Sequence, residues 1–304
     1  MADQVRIPPL ANLARAILPA LVLLLALAAP QSALAQSRNQ RQDPVVVAPP
    51  PANPLTYVDL VELAQASDLV LRAEIARQTV VPPERSPGLA PGQVRLYVEA
   101  VTQALLAGSG PVGETQAFLL DLPLDARGRR PNIRRQVFLL FARRVEGRPI
   151  GQTAQIQLVG RQAIQPVDPL LEQRVRHVLT QLVQADRPPM ISGVREIISV
   201  PGNLVGESES QMFLDTLDGA PVSLTVLRRP GMAPSWGVSW TEIVDSAARP
   251  PAPETLEWYA LACFLPRELP AGAFIQRDPD SRGRARADYA LVLAQLGNCE
   301  RSGL

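Results

Sequence analysis

One run of residues matches a cofactor-binding fingerprint letter for letter. Gly108-Ser109-Gly110-Pro111-Val112-Gly113 carries the glycine spacing of dinucleotide-binding turns. Such a turn works when a helix follows at once, so that its first amides hold a pyrophosphate. Here the next segment, Gln116 to Leu122, has the pattern of a strand, so the run reads as a strand-to-strand turn and no cofactor is expected. A second run, Asp278-Pro279-Asp280-Ser281-Arg282-Gly283, opens like a calcium loop. Its fifth position is Arg282 and its twelfth is Tyr289, where such a loop needs an oxygen ligand and a bidentate Glu. It reads as a solvated turn before the last helix.

The remaining chemistry-bearing residue types are few. His177 is the only histidine. It falls on the polar side of an amphipathic pattern, opposite Leu171, Val175, Val178 and Leu182. With one histidine and two cysteines, no metal site is expected. No Gly-x-Ser-x-Gly elbow surrounds a serine that His177 could activate. Glu207, Glu209, Asp215 and Asp218 are close in the chain and are the natural candidates for a carboxylate pair, although turns and strand edges are where such residues ordinarily sit.

Two clusters are candidates for binding. Arg127, Arg129, Arg130, Arg134 and Arg135 crowd one loop, with Arg143, Arg144 and Arg148 in the next. Guanidinium groups bind phosphate and carboxylate bidentately, so the first loop is an anion-binding candidate. The plainer reading is a solvated loop in a chain whose 30 basic residues are all arginine, a bias that fits a GC-rich bacterial genome. Trp236, Trp240 and Trp258 are the aromatic candidate, for a sugar or peptide face. In a chain this poor in large aromatics, core packing is the stronger reading for all three.

The compartment comes from the N-terminus. Arg6 and Arg15 precede an apolar run from Ala16 to Ala29, and Ala33-Leu34-Ala35 supplies a small-x-small site. Residues 1–35 therefore read as a signal peptide cleaved after Ala35, with an uncleaved anchor as the alternative. No other segment is apolar enough to cross a bilayer, so no membrane span is expected after cleavage. Removing the leader takes two arginines and one aspartate from totals of 30 and 29 and leaves a formal charge of zero. A neutral chain has no general attraction to nucleic acid, so none is expected as a partner. In an exported protein, Cys263 and Cys299 are expected to form one disulfide.

The elements follow from patterning. Residues 36–54 hold five prolines and no periodicity and read as a disordered tether. Thr56 and Asp59 open a helix. Leu69–Ile75, Val94–Val98, Ala117–Leu122, Gln136–Phe141 and Gln155–Val159 read as strands, with Arg95, Tyr97 and Glu99 on the outward face of the second. Asp168-Pro169 caps a helix that Pro188-Pro189 stops. Residues 55–187 thus suggest a small antiparallel β-barrel-like domain of OB type with a closing helix.

Residues 188–304 suggest a second domain. A strand at Ile191–Val200 leads into a meander over Ser208–Asp245, with Asp218-Gly219 as a type I′ turn. Helices over Glu254–Phe264 and Ala285–Leu296 then close an α+β chain. The expected function is a binding or scaffold module of the bacterial envelope, in a periplasm or outside the cell, with an envelope protein or an anionic polymer as partner. The alternatives are a carboxylate-based hydrolase of envelope polymers and a secreted protease-inhibitor-like barrel.

Overall fold

The computed structural model describes residues 54–145, 153–243 and 248–302. The expected leader at 1–35, the tether up to residue 53, Arg148 and Asp245 lie outside the described residues. The described chain is a mixed α+β fold with a six-stranded and a four-stranded sheet and four α-helices. None of the described helices is long and apolar enough to cross a membrane.

Helix α1 (Tyr57–Gln65) starts where a capping box fixes it: Asp59 N donates to Thr56 Oγ1, and Thr56 N donates to the Asp59 carboxylate at 2.8 Å. Six strands follow as the first sheet: β1 (Leu69–Val80), β2 (Gln93–Gly108), β3 (Thr115–Pro123), β4 (Val137–Arg144), β5 (Thr153–Leu158) and β6 (Ile164–Pro166). β1 pairs β2 and β2 pairs β3, both antiparallel; β3 pairs β5 in parallel; β5 pairs β4, and β4 pairs β1. The series of pairings thus returns to β1. Register shifts at three points along β1 mark bulges that bend the strand. Alternate residues point inward and make one apolar core, with Leu71, Ile75, Leu96, Val98, Phe118 and Leu140 among its members. β6, three residues long, carries too little pattern to be read from sequence.

Helix α2 (Pro169–Leu182) has Asp168 as N-cap, its Oδ1 accepting from Leu170 N and Leu171 N. Val175 and Val178 of α2 join Val58, Leu60 and Val61 of α1 and Phe141 of β4 in a second core. Burying each such side chain contributes about 1.5–3 kcal/mol.

The second sheet is a four-strand meander, in the order β10-β9-β8-β7: β7 (Ile191–Pro201), β8 (Ser208–Thr216), β9 (Val222–Arg228) and β10 (Ser235–Ser239). The turn at Asp218-Gly219 differs from expectation. Only Gly219 takes a positive φ, of 76°, whereas a type I′ turn needs both residues there. Five residues connect β8 to β9, braced by Thr216 Oγ1 donating to Ala220 O and Ala220 N donating to Asp218 Oδ1.

Both edges of this sheet are covered. Ser199 N donates to Gln276 Oε1 and Ile197 bridges Phe274 beside β7; Val238 N donates to Arg249 O beside β10. The covering chain runs so close to Gly237 that a Cβ there would sit 2.2 Å from the Ala248 carbonyl. Such contacts occupy part of the row that would otherwise make each edge strand sticky.

Helices α3 (Leu256–Phe264) and α4 (Pro279–Leu296) pack on the inner face of the meander through Leu261, Ala285, Tyr289 and Val292. α4 begins at Pro279 rather than near Ala285, because Asp278 is an N-cap and Pro279 the first helical residue, the same pairing that opens α2. α3 also faces the other way: Leu256 and Tyr259 belong to the core of α1 and α2.

Cys263 and Cys299 are disulfide-bonded, and the chain after Cys299 docks on α1. Thr56 Oγ1 donates to Glu300 O, Arg301 forms a two-nitrogen ion pair with Glu62, and Ser302 N donates to Asp59. Burial alone would raise the Asp59 carboxyl; the hydrogen bonds from Thr56 and Ser302 outweigh it and hold the group below its ordinary value.

Candidate functional site

The outer face of β1, β2 and β3 carries three rows of side chains set by register. Thr79 lies opposite Tyr97, and Tyr97 opposite Leu119, so these three form one row across the strands. On one side of it Arg77 pairs with Glu99 at 3.4 Å. On the other, Arg95 grips Asp121 through Nε and Nη2, both at 2.7 Å, and gives Nη1 to Pro87 O. That two-point grip is what holds the Asp121 carboxyl below its ordinary value, against a smaller opposing effect of burial. The result is a groove of about 520 Å³, walled by Val80 and Val81, with Tyr97 and Leu119 in its lining and Arg77 and Arg85 at its rim. Leu119 is 55% exposed, so the sheet presents apolar surface here with nothing from the described chain over it.

The loop between β3 and β4, residues 124–136, lies at this same end of the sheet. Leu124 N donates to Gly92 O in the β1–β2 connection. Gln78, between Arg77 and Thr79, donates to Pro131 O and accepts from Ile133 N. Ile133 is buried and plugs the end of the sheet's core, and Arg135 takes a φ of 62° as the chain turns back into β4. The five loop arginines divide by role. Arg129 is committed to the loop: its amide and the amide of Arg127 donate to Asp125 Oδ1, and its Nε donates to Asp125 Oδ2. The Arg129 amide is the main reason the Asp125 carboxyl stays below its ordinary value. Arg127, Arg130, Arg134 and Arg135 are exposed and make no ion pair among the described residues, and the same holds for Arg85. Arg143 and Arg144 are elsewhere, at the far end of β4, where they bind Ala66 O, Pro111 O and Ser109 O.

The other candidates are placed as follows. Gly108 to Gly113 connects β2 to β3, with Gly108 at φ 136° beside Asp68 O. Asp278 to Gly283 is the first turn of α4, and Asp278 accepts from Ser281 N as its cap. His177 is exposed on α2, 2.8 Å from Gln181 Nε2. Trp236 is buried in the meander core with Nε1 donating to Gln295 Oε1, and Trp240 packs against the same core. Trp258 lies between the cores of both sheets, donates to Leu296 O and meets Tyr57 edge-on.

The four carboxylates divide between the two ends of β8. Glu207 caps the β7–β8 turn by accepting from Leu204 N, and Glu209 accepts from Gln211 Nε2. Asp215 sits 4.0 Å from Arg195, and Asp218 belongs to the next turn. Five residues of strand lie between Glu209 and Asp215, a span of roughly 20 Å, against about 5–9.5 Å between the two carboxylates of a glycosidase. Among the described residues, no group of three or more His, Cys, Asp or Glu is placed to hold a metal ion.

Two features were not reached from the sequence. The row of Thr79, Tyr97 and Leu119 depends on strand register, though the outward direction of Tyr97 is legible in the alternation of β2. Asp288 is fully buried in α4, where Arg228 Nε donates to it at 2.6 Å and Ser210 Oγ at 2.5 Å. Its signal is a carboxylate on the apolar stripe of Ala285, Tyr289 and Val292.

Comparison with known proteins adds no relative: no protein-family model matches the chain, and no curated protein matches it. The functional reading rests on the residues themselves.

Proposed function

We propose that this chain is an exported binding module of the bacterial envelope, and that it takes an anionic partner at the β1–β2–β3 end of its first sheet. The observation that carries this is that Arg127, Arg130, Arg134 and Arg135 of the β3–β4 loop, and Arg85 in the lining of the groove, are exposed and make no ion pair among the described residues. An anionic partner would accept bidentate hydrogen bonds from such guanidinium groups. Export is supported by the leader-like N-terminus and by the disulfide, which persists in oxidising compartments. The return of the strand pairings to β1, with β3 and β5 parallel, supports reading the first sheet as an OB-type barrel. Division into domains at 55–187 and 188–304 is part of this proposal: each sheet has a core of its own, while a third core, of α1 and α2, also takes in Leu256 and Tyr259 of α3.

The test is titration of the chain with polygalacturonate and with polyphosphate over a salt series. Binding should weaken as salt screens the rim. Changing the five arginines together to Gln should weaken it at least ~5-fold, at about 0.2–1 kcal/mol for each exposed charge. Affinity that ignores both salt and these substitutions would contradict the proposal.

A further inference from the structure

The groove, whose lining has Arg77 and Arg85 but none of the loop arginines, differs in chemistry from the β3–β4 loop. Its central row is apolar and aromatic, Tyr97 with Leu119, and the row is edged by ion pairs on both sides. Arg95 has every nitrogen engaged, by Asp121 and Pro87 O. Arg77 does not: its side chain is 70% exposed and its one contact with Glu99 is 3.4 Å. Arg85 makes no ion pair among the described residues. A ligand lying on Tyr97 would therefore meet guanidinium donors from Arg85 and from Arg77, whose other nitrogens are left over by its single contact with Glu99, a carboxylate acceptor in Glu99 and a hydroxyl in Thr79.

From this arrangement we infer that the groove is a subsite for an acidic sugar ring, the hexuronate unit of an anionic polysaccharide. The inference rests on the proposal that this end of the sheet binds an anionic partner, and it adds the ligand class. A pyranose ring has an apolar C–H face that packs on an aromatic ring and an aliphatic side chain, while its rim bears hydroxyls. Glu99 and Thr79 suit those hydroxyls, since a carboxylate accepts from O–H, and Arg77 and Arg85 suit the ring carboxylate. A phosphate polymer fits less well. Its backbone would run past Glu99 and Asp121, and with Tyr97 as the single aromatic in the groove's lining there is no second platform for successive stacked bases. A volume of about 520 Å³ is within the range of small-ligand sites and suits one or two sugar rings rather than a long segment.

The test is NMR or calorimetric titration of the chain with galacturonate oligosaccharides, with the same oligosaccharides after reduction of their carboxyl groups, and with polyphosphate. The acidic oligosaccharide should bind, and the neutral one about 10-fold or more weakly. Tyr97→Ala should weaken the acidic oligosaccharide about ten-fold, while Tyr97→Phe, which keeps the platform, should stay within about two-fold. Unchanged melting temperatures of both variants would show that the fold is kept.

If polyphosphate binds in an arginine-dependent way, while the acidic oligosaccharide does not bind or ignores Tyr97→Ala, the sugar subsite is overturned and the anion-binding surface stands. If neither polymer binds, both are overturned.

Discussion

Asp59 joins the two ends of the described chain, and its removal should be costly. Its carboxylate accepts from Thr56 N at 2.8 Å, from Thr56 Oγ1 at 2.9 Å and from Ser302 N at 3.1 Å, in a residue only 3% exposed. Hydrogen bonds to a charged group contribute about 1.5–3 kcal/mol each and do not add fully, and Asp59→Ala removes the carboxylate that accepts from the Thr56 and Ser302 amides. We expect a loss of roughly 3–4 kcal/mol. For a chain of this size that corresponds to about 6–16 °C in melting temperature.

Asp59→Asn keeps one acceptor oxygen and should lose about half as much. The pH dependence has a definite sign. The folded-state value lies below the ordinary 3.8, so this stability is fully present above 3.8 and is lost as pH falls through the folded value. The gap between wild type and Asp59→Ala, measured by guanidinium unfolding from pH 7 downward, should therefore narrow in acid. A gap under about 1 kcal/mol at pH 7, or one that widens on acidification, would refute the pinning role.

Two further outcomes follow from packing. Replacing both cysteines by Ser should cost about 4 kcal/mol in the chain-entropy model for a 36-residue separation; protease digestion should then release the C-terminal segment earlier than in the oxidised protein, and equal digestion rates would show that α1 holds that segment unaided. Gly237→Ala places a methyl 2.2 Å from the Ala248 carbonyl and should cost about 1–3 kcal/mol, with faster amide exchange at Val238; a thermally silent variant would mean that the covering chain is free to move off β10.

Much of this architecture is legible in the residues, for local reasons. Thr56 with Asp59, and Asp168 with Pro169, are short-range caps whose geometry lies within a few residues, and both open helices where the pattern places them. The same logic applies to Asp278-Pro279, but its resemblance to a calcium loop draws attention away from it, so the first six residues of α4 go unread. The Asp218-Gly219 dipeptide is ambiguous because five residues, not two, separate the paired strands.

What the sequence conceals is what register decides. The facing of Thr79, Tyr97 and Leu119 arises from pairings 18 and 22 residues apart, and β1 reaches them only after three register shifts. The four acidic residues from Glu207 to Asp218 illustrate the converse, since closeness in the chain becomes distance once β8 is extended. Likewise the clustered arginines separate into loop-holding, far-end and free groups only when their partners are known.

The most direct test of the central claim is the affinity of the chain for polygalacturonate at low salt, measured for three proteins. These are the wild type, the variant with Arg85, Arg127, Arg130, Arg134 and Arg135 changed to Gln, and a control with the exposed Arg161, Arg187, Arg229, Arg267 and Arg277 changed to Gln. The first substitution set should weaken binding at least ~5-fold, and the control set, equal in charge, less than ~3-fold. Equal losses in the two variants would show that net charge rather than this end of the sheet governs binding, and would contradict the account.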